Sequence, residues 1–127
     1  MGNGSRQDVR SFLPMPAPAF YVVAVLAEGP MHAYGVLKAV EAHSSGRVRF
    51  SASTFYDVVR RLEEQGLIAE TERRPIVPLD DPRRKYFELT GLGRAVGEAE
   101  ARRLEEALGL ARASRLVTSP GGQSEAT

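Results

Sequence analysis

The sequence predicts a mainly α chain carrying one small β-hairpin, in the order helix, helix, helix, hairpin, long helix. Two observations predict it. Apolar residues recur at helical spacing in four stretches separated by Gly, Pro and Ser, and only residues 67–89 alternate as strands do, broken by a loop with three prolines. A length of 127 residues, 43% hydrophobic and 26% charged, allows one core with short tails and little else.

Residues 1–17 are rich in Gly, Asn, Ser and Pro, with Pro14 and Pro16 forbidding a continuous helix, and are expected to form a flexible N-terminal arm. Phe12, Leu13 and Met15 have no obvious home there, which suggests docking on the domain or on a partner subunit. Pro18 suits a first helical turn, Ala19 to Glu28 is nearly all apolar, and Gly29-Pro30 ends a short buried helix. A second, amphipathic helix covers 33–45, with Tyr34, Leu37 and Val40 spaced three apart, before Ser44-Ser45-Gly46. After a short extended piece, Val48-Arg49-Phe50, Ser51 offers an N-cap for a third helix that runs to Gln65 and closes at Gly66. Its Phe55, Val58, Val59 and Leu62 form one stripe; Ser53, Tyr56, Asp57, Arg60 and Arg61 project elsewhere. Leu67 to Arg74 and Arg83 to Leu89 are the expected strands, with Pro75, Pro78 and Pro82 in the tip. Thr90 caps a final helix over 91–116, along which Leu92, Val96, Ala99, Leu104, Leu108 and Ala111 share a side, and 117–127 has the composition of a disordered tail.

Composition excludes several function classes. With no cysteine there is no disulfide framework, thiolate zinc site or thiol nucleophile. No apolar run approaches the ~20 residues that span a bilayer, and the first residues lack the apolar stretch of a secretory signal, so a cytoplasmic protein without a membrane partner is expected. No nucleophile elbow, phosphate loop, paired carboxylates or metal spacing is present, and His32, opening a helix, reads as a capping or packing residue. Neither enzyme activity nor a cofactor is therefore expected. Seventeen Lys and Arg against sixteen Asp and Glu leave a formal charge of +1, so any anionic partner must be recognised by local clusters.

Three helices followed by a hairpin is the winged helix-turn-helix order, in which the third helix enters the major groove of DNA and the hairpin, the wing, flanks it. Three ordered stretches resemble the PadR-type transcriptional regulators: His32-Ala33-Tyr34-Gly35-Val36; Thr54-Phe55-Tyr56 through Arg61-Leu62-Glu63-Glu64-Gln65-Gly66-Leu67-Ile68; and Arg84-Lys85-Tyr86-Phe87-Glu88-Leu89-Thr90 with Gly93. Most of these residues have a mechanical role of their own. Leu62 and Ile68 bury, Gly66 turns helix into strand, and Thr90 ends a strand by capping a helix. The DNA-binding candidates are the exposed side of the third helix, Ser53, Thr54, Tyr56, Arg60 and Arg61, together with the wing cations Arg73, Arg74, Arg83, Arg84 and Lys85. Like charges side by side repel, and an anionic partner would relieve that; a charged edge strand that merely resists edge pairing is the plainer alternative. The resemblance implies that Tyr56 touches a phosphate. Asp57 stands where many family members carry proline, close to the proposed reading face, where it can orient Arg60 or Arg61 or repel phosphate. Gly91-Leu92 replaces the polar pair usual after the capping threonine.

A final helix of some 25 residues exceeds what so small a domain can cover. The resemblance implies that it pairs two subunits, with Leu104, Leu108 and Ala111 as the seam, so that a homodimer sets two reading helices about one DNA turn (~34 Å) apart on a pseudo-palindromic operator. It also implies a repressor released by a small hydrophobic effector; Phe12, Met15, Phe20, Tyr21 and Met31 could line a cavity for one, or be ordinary core. The competing reading is a winged helix used only as a protein-interaction module, which would bind no DNA at any ionic strength.

Overall fold

A computed structural model describes residues 9–76 and 81–118. The hairpin tip at 77–80, the first eight residues of the expected arm and residues 119–127 of the expected tail lie outside the described residues. The elements are α1 (Ala17–Leu26), β1 (Met31–His32), α2 (Ala33–His43), α3 (Ala52–Glu64), β2 (Ile68–Thr71), β3 (Tyr86–Leu89) and α4 (Gly91–Ala113).

Helix α1 is the hub. Its composition is apolar on every side, and Val22, Val23, Val25 and Leu26 are buried beneath α2, α3 and α4. Val36 and Val40 of α2, Phe55, Val59 and Leu62 of α3, Leu67 and Val96 complete the core. Each fully buried side chain of this kind contributes about 1.5–3 kcal/mol relative to exposure, which fixes α3 from behind.

The strands are shorter than expected and number three. Beyond Thr71 on one strand and before Tyr86 on the other the ladder has ended, so Arg73, Arg74, Arg83, Arg84 and Lys85 lie outside the regular sheet. The third strand, β1, has no alternating pattern to announce it. Two residues suffice because Met31 and His32 pair antiparallel with Phe87 and Tyr86, making β3 the central strand. On its other side β3 pairs antiparallel with β2, from Ile68 opposite Leu89 to Thr71 opposite Tyr86. Alternation predicts only Phe87 and Leu89 as inward residues of β3, yet Tyr86 is also buried. The guanidinium carbon of Arg74 sits 4.4 Å from its ring centroid, and the His32 ring packs edge-on at 5.4 Å. The piece around Arg49 joins no ladder, although Val48 and Phe50 are half-buried and Arg49 exposed.

Residues 9–16 run across the helices rather than away from them. Met15 is buried, Val9, Phe12 and Leu13 pack on the core, and the Met15 N–H donates to Oε1 of Glu100 at 3.2 Å. Glu100 is 2% exposed and takes two further bonds from Arg103, at 2.9 and 2.7 Å. These contacts hold its carboxyl below the usual range, Arg103 chiefly, against the opposing effect of burial.

Thr90 joins β3 to α4. Its Oγ1 accepts from the Gly93 N–H at 2.9 Å, capping α4, and donates to the β2 entry at Gly66 and Leu67. Helix α4 ends three residues before the expected Leu116, with Ser114 as C-cap. Its first turns bury Gly93, Val96 and Glu100; from residue 101 to 110 every position is exposed.

Candidate nucleic-acid interface

The third helix begins where Ser51 accepts from the Thr54 N–H at 3.2 Å, and ends at Gly66, whose φ of +77° turns the chain into β2. With Phe55, Val59 and Leu62 facing the core, the opposite side presents Ser53, Tyr56, Asp57 and Arg60 to solvent. Tyr56 is 56% exposed, its ring edge-on to Phe55 at 5.6 Å. An apolar anchor thus steadies an exposed ring. Arg60 does not swing freely: Nη2 donates to Asp57 Oδ1 at 2.7 Å, one helical turn back. This exposed pair adds little stability, since such pairs are worth about 0.2–1 kcal/mol, but it aims the guanidinium along the helix. Thr54 and Arg61 lie to one flank, over a groove shared with residues 11–19.

Three of the five wing cations, Arg73, Arg83 and Lys85, are paired with carboxylates within the chain, which reduces the repulsion that the sequence suggests. Arg73 bonds Glu88 through two nitrogens, Nε at 3.0 Å. Arg83 binds both oxygens of Asp81 at 3.2 Å, and this, with a bond from its own N–H, holds the Asp81 carboxyl below its usual range. Lys85 approaches Glu70 at 3.7 Å. Arg74 is half-buried on Tyr86 and donates to the carbonyls of Asp81 and Arg84 at 3.3 and 2.7 Å, tying the two arms of the hairpin together. Arg84 Nη1 lies 3.0 Å from His32 Nε2. His32 caps α2, its Nδ1 accepting from the Gly35 N–H at 3.1 Å. A neutral imidazole has one accepting nitrogen, so the ring accepts either from the α2 cap or from Arg84, not from both at once.

Known proteins place this arrangement. Residues 22–99 match the model of the transcriptional regulator PadR-like family. The chain belongs to the PadR-like family of transcriptional regulators. Among solved structures, a PadR family transcription regulator from Clostridium difficile R20291 superposes with a TM-score of 0.62 at 18% identity, covering 76% of this chain and 96% of that one. A transcriptional regulator from Clostridium thermocellum gives 0.60 at 18% identity, over 82% and 90% of the two chains. The adhesin competence repressor of Streptococcus pyogenes gives 0.58 at 17% identity, over 89% and 75%. At these identities the likeness is one of fold, a mainly helical winged helix with a small antiparallel sheet and a C-terminal helix. No match emerges among curated proteins.

Within this PadR-like chain, the sequence candidates divide into three groups. Ser53, Tyr56 and Arg60 share the outward face of α3; Thr54 and Arg61 flank it; and Arg73, Arg83, Arg84 and Lys85 are exposed on the wing while Arg74 is a packing residue. Two exposed arginines escaped sequence reasoning: Arg47 and Arg49, in the turn between α2 and α3, have no acidic partner among the described residues. Both lie within four residues of Ser51, the N-cap of α3. Leu104 and Leu108 are 40% and 37% exposed on α4, and Ala111 is half-buried. No described helix is long and apolar enough to cross a membrane.

Proposed function

We propose that this chain is a sequence-specific DNA-binding regulator, a homodimeric repressor acting on a pseudo-palindromic operator in the cytoplasm. Residues 18–90 are the DNA-binding unit and 91–116 the dimerisation helix. The observation that carries the reading is α3: Phe55, Val59 and Leu62 anchor it, and Ser53, Tyr56 and Arg60 stand together on its outer face in a PadR-like chain. Arg60 reads a base edge, Tyr56, Thr54 and Arg61 contact backbone or flanking positions, and the wing cations Arg73, Arg83, Arg84 and Lys85 exchange exposed intramolecular partners for phosphate. That exchange is inexpensive because each exposed pair is weak.

Dimerisation is supported by the exposed Leu104, Leu108 and Leu110 on a helix whose second half leaves the core. The sign of regulation is supported by the repressor among its structural neighbours. Release by a small hydrophobic effector fits the cavity beside Met15, Phe20 and Tyr21, which holds about 660 Å³.

Selecting bound sequences from a random duplex library tests this function. The expected product is a pseudo-palindrome with half-sites about one turn (~34 Å) apart, bound with an affinity that falls steeply with salt as counterions are released. A chain that retains no duplex at any ionic strength is an interaction module instead.

A further inference from the structure

A long arginine on an exposed helix face can meet a phosphate as well as a base edge, and only the second contact carries sequence. What Arg60 meets depends on where its guanidinium is held. Glu63 and Glu64 follow it at the next turn of α3 and are exposed, yet Nη2 donates instead to Asp57 Oδ1, one turn back, at 2.7 Å. That bond draws the guanidinium toward the N-terminal half of α3, the part of a reading helix that meets base edges, and away from its C-terminal end. The remaining N–H groups of Arg60 suffice for the paired donation to O6 and N7 that distinguishes guanine. Asp57 keeps an acceptor of its own. Among the described residues its Oδ2 takes no hydrogen bond, and the side chain is 57% exposed beside an Arg60 that is 64% exposed. A carboxylate in this place accepts from the amino group of cytosine or adenine, is repelled by the carbonyl oxygen of guanine or thymine, and is repelled by every phosphate.

We propose that Asp57 sets the base preference of α3: it fixes Arg60 on a guanine, takes the amino group of a neighbouring cytosine or adenine on Oδ2, and weakens binding to all other duplexes. This role of Asp57 rests on the reading of α3 as the duplex-facing helix. On a matched site the guanine and amino contacts offset the cost of bringing a carboxylate among phosphates. On a mismatched site nothing offsets it, so one side chain lowers affinity overall and raises the ratio between sites. The fold asks little of the pair, which is exposed at both ends, and alanine is a better helix former than aspartate, so Asp57→Ala is expected to fold and to report on recognition alone.

The test measures affinities of the full chain, at one low salt concentration, for the duplex selected by the parent, for the same duplex with its guanine pair exchanged, and for a scrambled sequence. The guanine in question is the one whose preference Arg60→Ala relaxes. Exchanging it is expected to weaken parental binding at least about fivefold. Asp57→Ala is expected to bind the scrambled duplex at least about twofold more tightly than the parent and to lose most of the guanine preference. Added to Arg60→Ala, the same substitution is expected to change the preference at that base pair no further, since Asp57 acts on the guanine through Arg60. Unfolding curves verify that each variant is folded. A guanine preference in Asp57→Ala equal to that of the parent overturns the role of Asp57 and leaves the reading of α3 standing. So does a loss of affinity for all three duplexes by the same factor, which a merely structural role would produce. A parent that retains no duplex overturns the reading of α3 and the role of Asp57 together.

Discussion

Replacing Gly93 by alanine is expected to be among the most damaging single changes in this chain. Gly93 lies in the first turn of α4 against the start of β2, and a Cβ built on it falls 1.9 Å from the Leu67 carbonyl oxygen and 2.9 Å from the carbonyl carbon. Carbon and oxygen settle no closer than about 3.3 Å, so helix and strand must part by more than about 1 Å. Neither side can yield cheaply, because the obstacle is backbone. The same carbonyl accepts from the Thr90 N–H and from Thr90 Oγ1, both at 3.1 Å, and its neighbours Leu67 and Val96 are 1% and 0% exposed. Overpacking costs about 1–3 kcal/mol. Two weakened hydrogen bonds add about 0.5–1.5 kcal/mol each, and the better helix propensity of alanine returns at most ~1 kcal/mol. The net loss is about 1–6 kcal/mol, a substantial part of the ~5–15 kcal/mol that holds a domain folded, and lowers Tm by at least ~4 °C. Urea and thermal unfolding followed by circular dichroism, at fixed protein concentration, measure it. The control is Gly91→Ala, where a Cβ meets nothing within 4 Å and stability should stay within ~1 kcal/mol of the parent. Equal midpoints for the two variants would refute the close-approach argument.

Three further outcomes are expected. Arg60→Ala weakens operator binding by about 1–3 kcal/mol and relaxes base preference, whereas Arg84→Ala weakens cognate and scrambled duplexes alike; equal losses on both duplexes for Arg60→Ala make that residue a phosphate contact. Glu100→Gln flattens the acid limb of the stability curve. Its carboxyl titrates lower folded than unfolded, so the stabilisation is complete above the ordinary value of 4.5 and is lost as pH falls through the folded value. Parent and variant showing the same change in urea midpoint between neutral pH and pH about 3 contradicts this. Leu104→Asp with Leu108→Asp converts the proposed dimer to a folded monomer, since both side chains are exposed in the single chain; a sedimentation mass unchanged from a dimeric parent locates the seam elsewhere.

The sequence by itself determined the order of elements, the caps and the face that α3 buries, because each is written in local chemistry. Ser51 and Thr90 are hydroxyl caps three residues before the N–H groups they accept, and Phe55, Val59 and Leu62 recur at the helical period. It also carried the family, through three motifs whose residues are mostly mechanical. Gly93 shows the limit of such reading, for its place in a motif is visible while the Leu67 carbonyl that forbids a side chain there is twenty-six positions away. Tertiary structure alone decided what depends on distant partners. Strand β1 exists only because β3 offers a ladder. Arg73, Arg83 and Lys85 on the wing are offset because folding brings Glu88, Asp81 and Glu70 to them. Residues 9–16 pack because Glu100, far along the chain, meets the Met15 N–H. Period and propensity are properties of neighbours in sequence, and charge compensation, ladder pairing and docking are properties of neighbours in space.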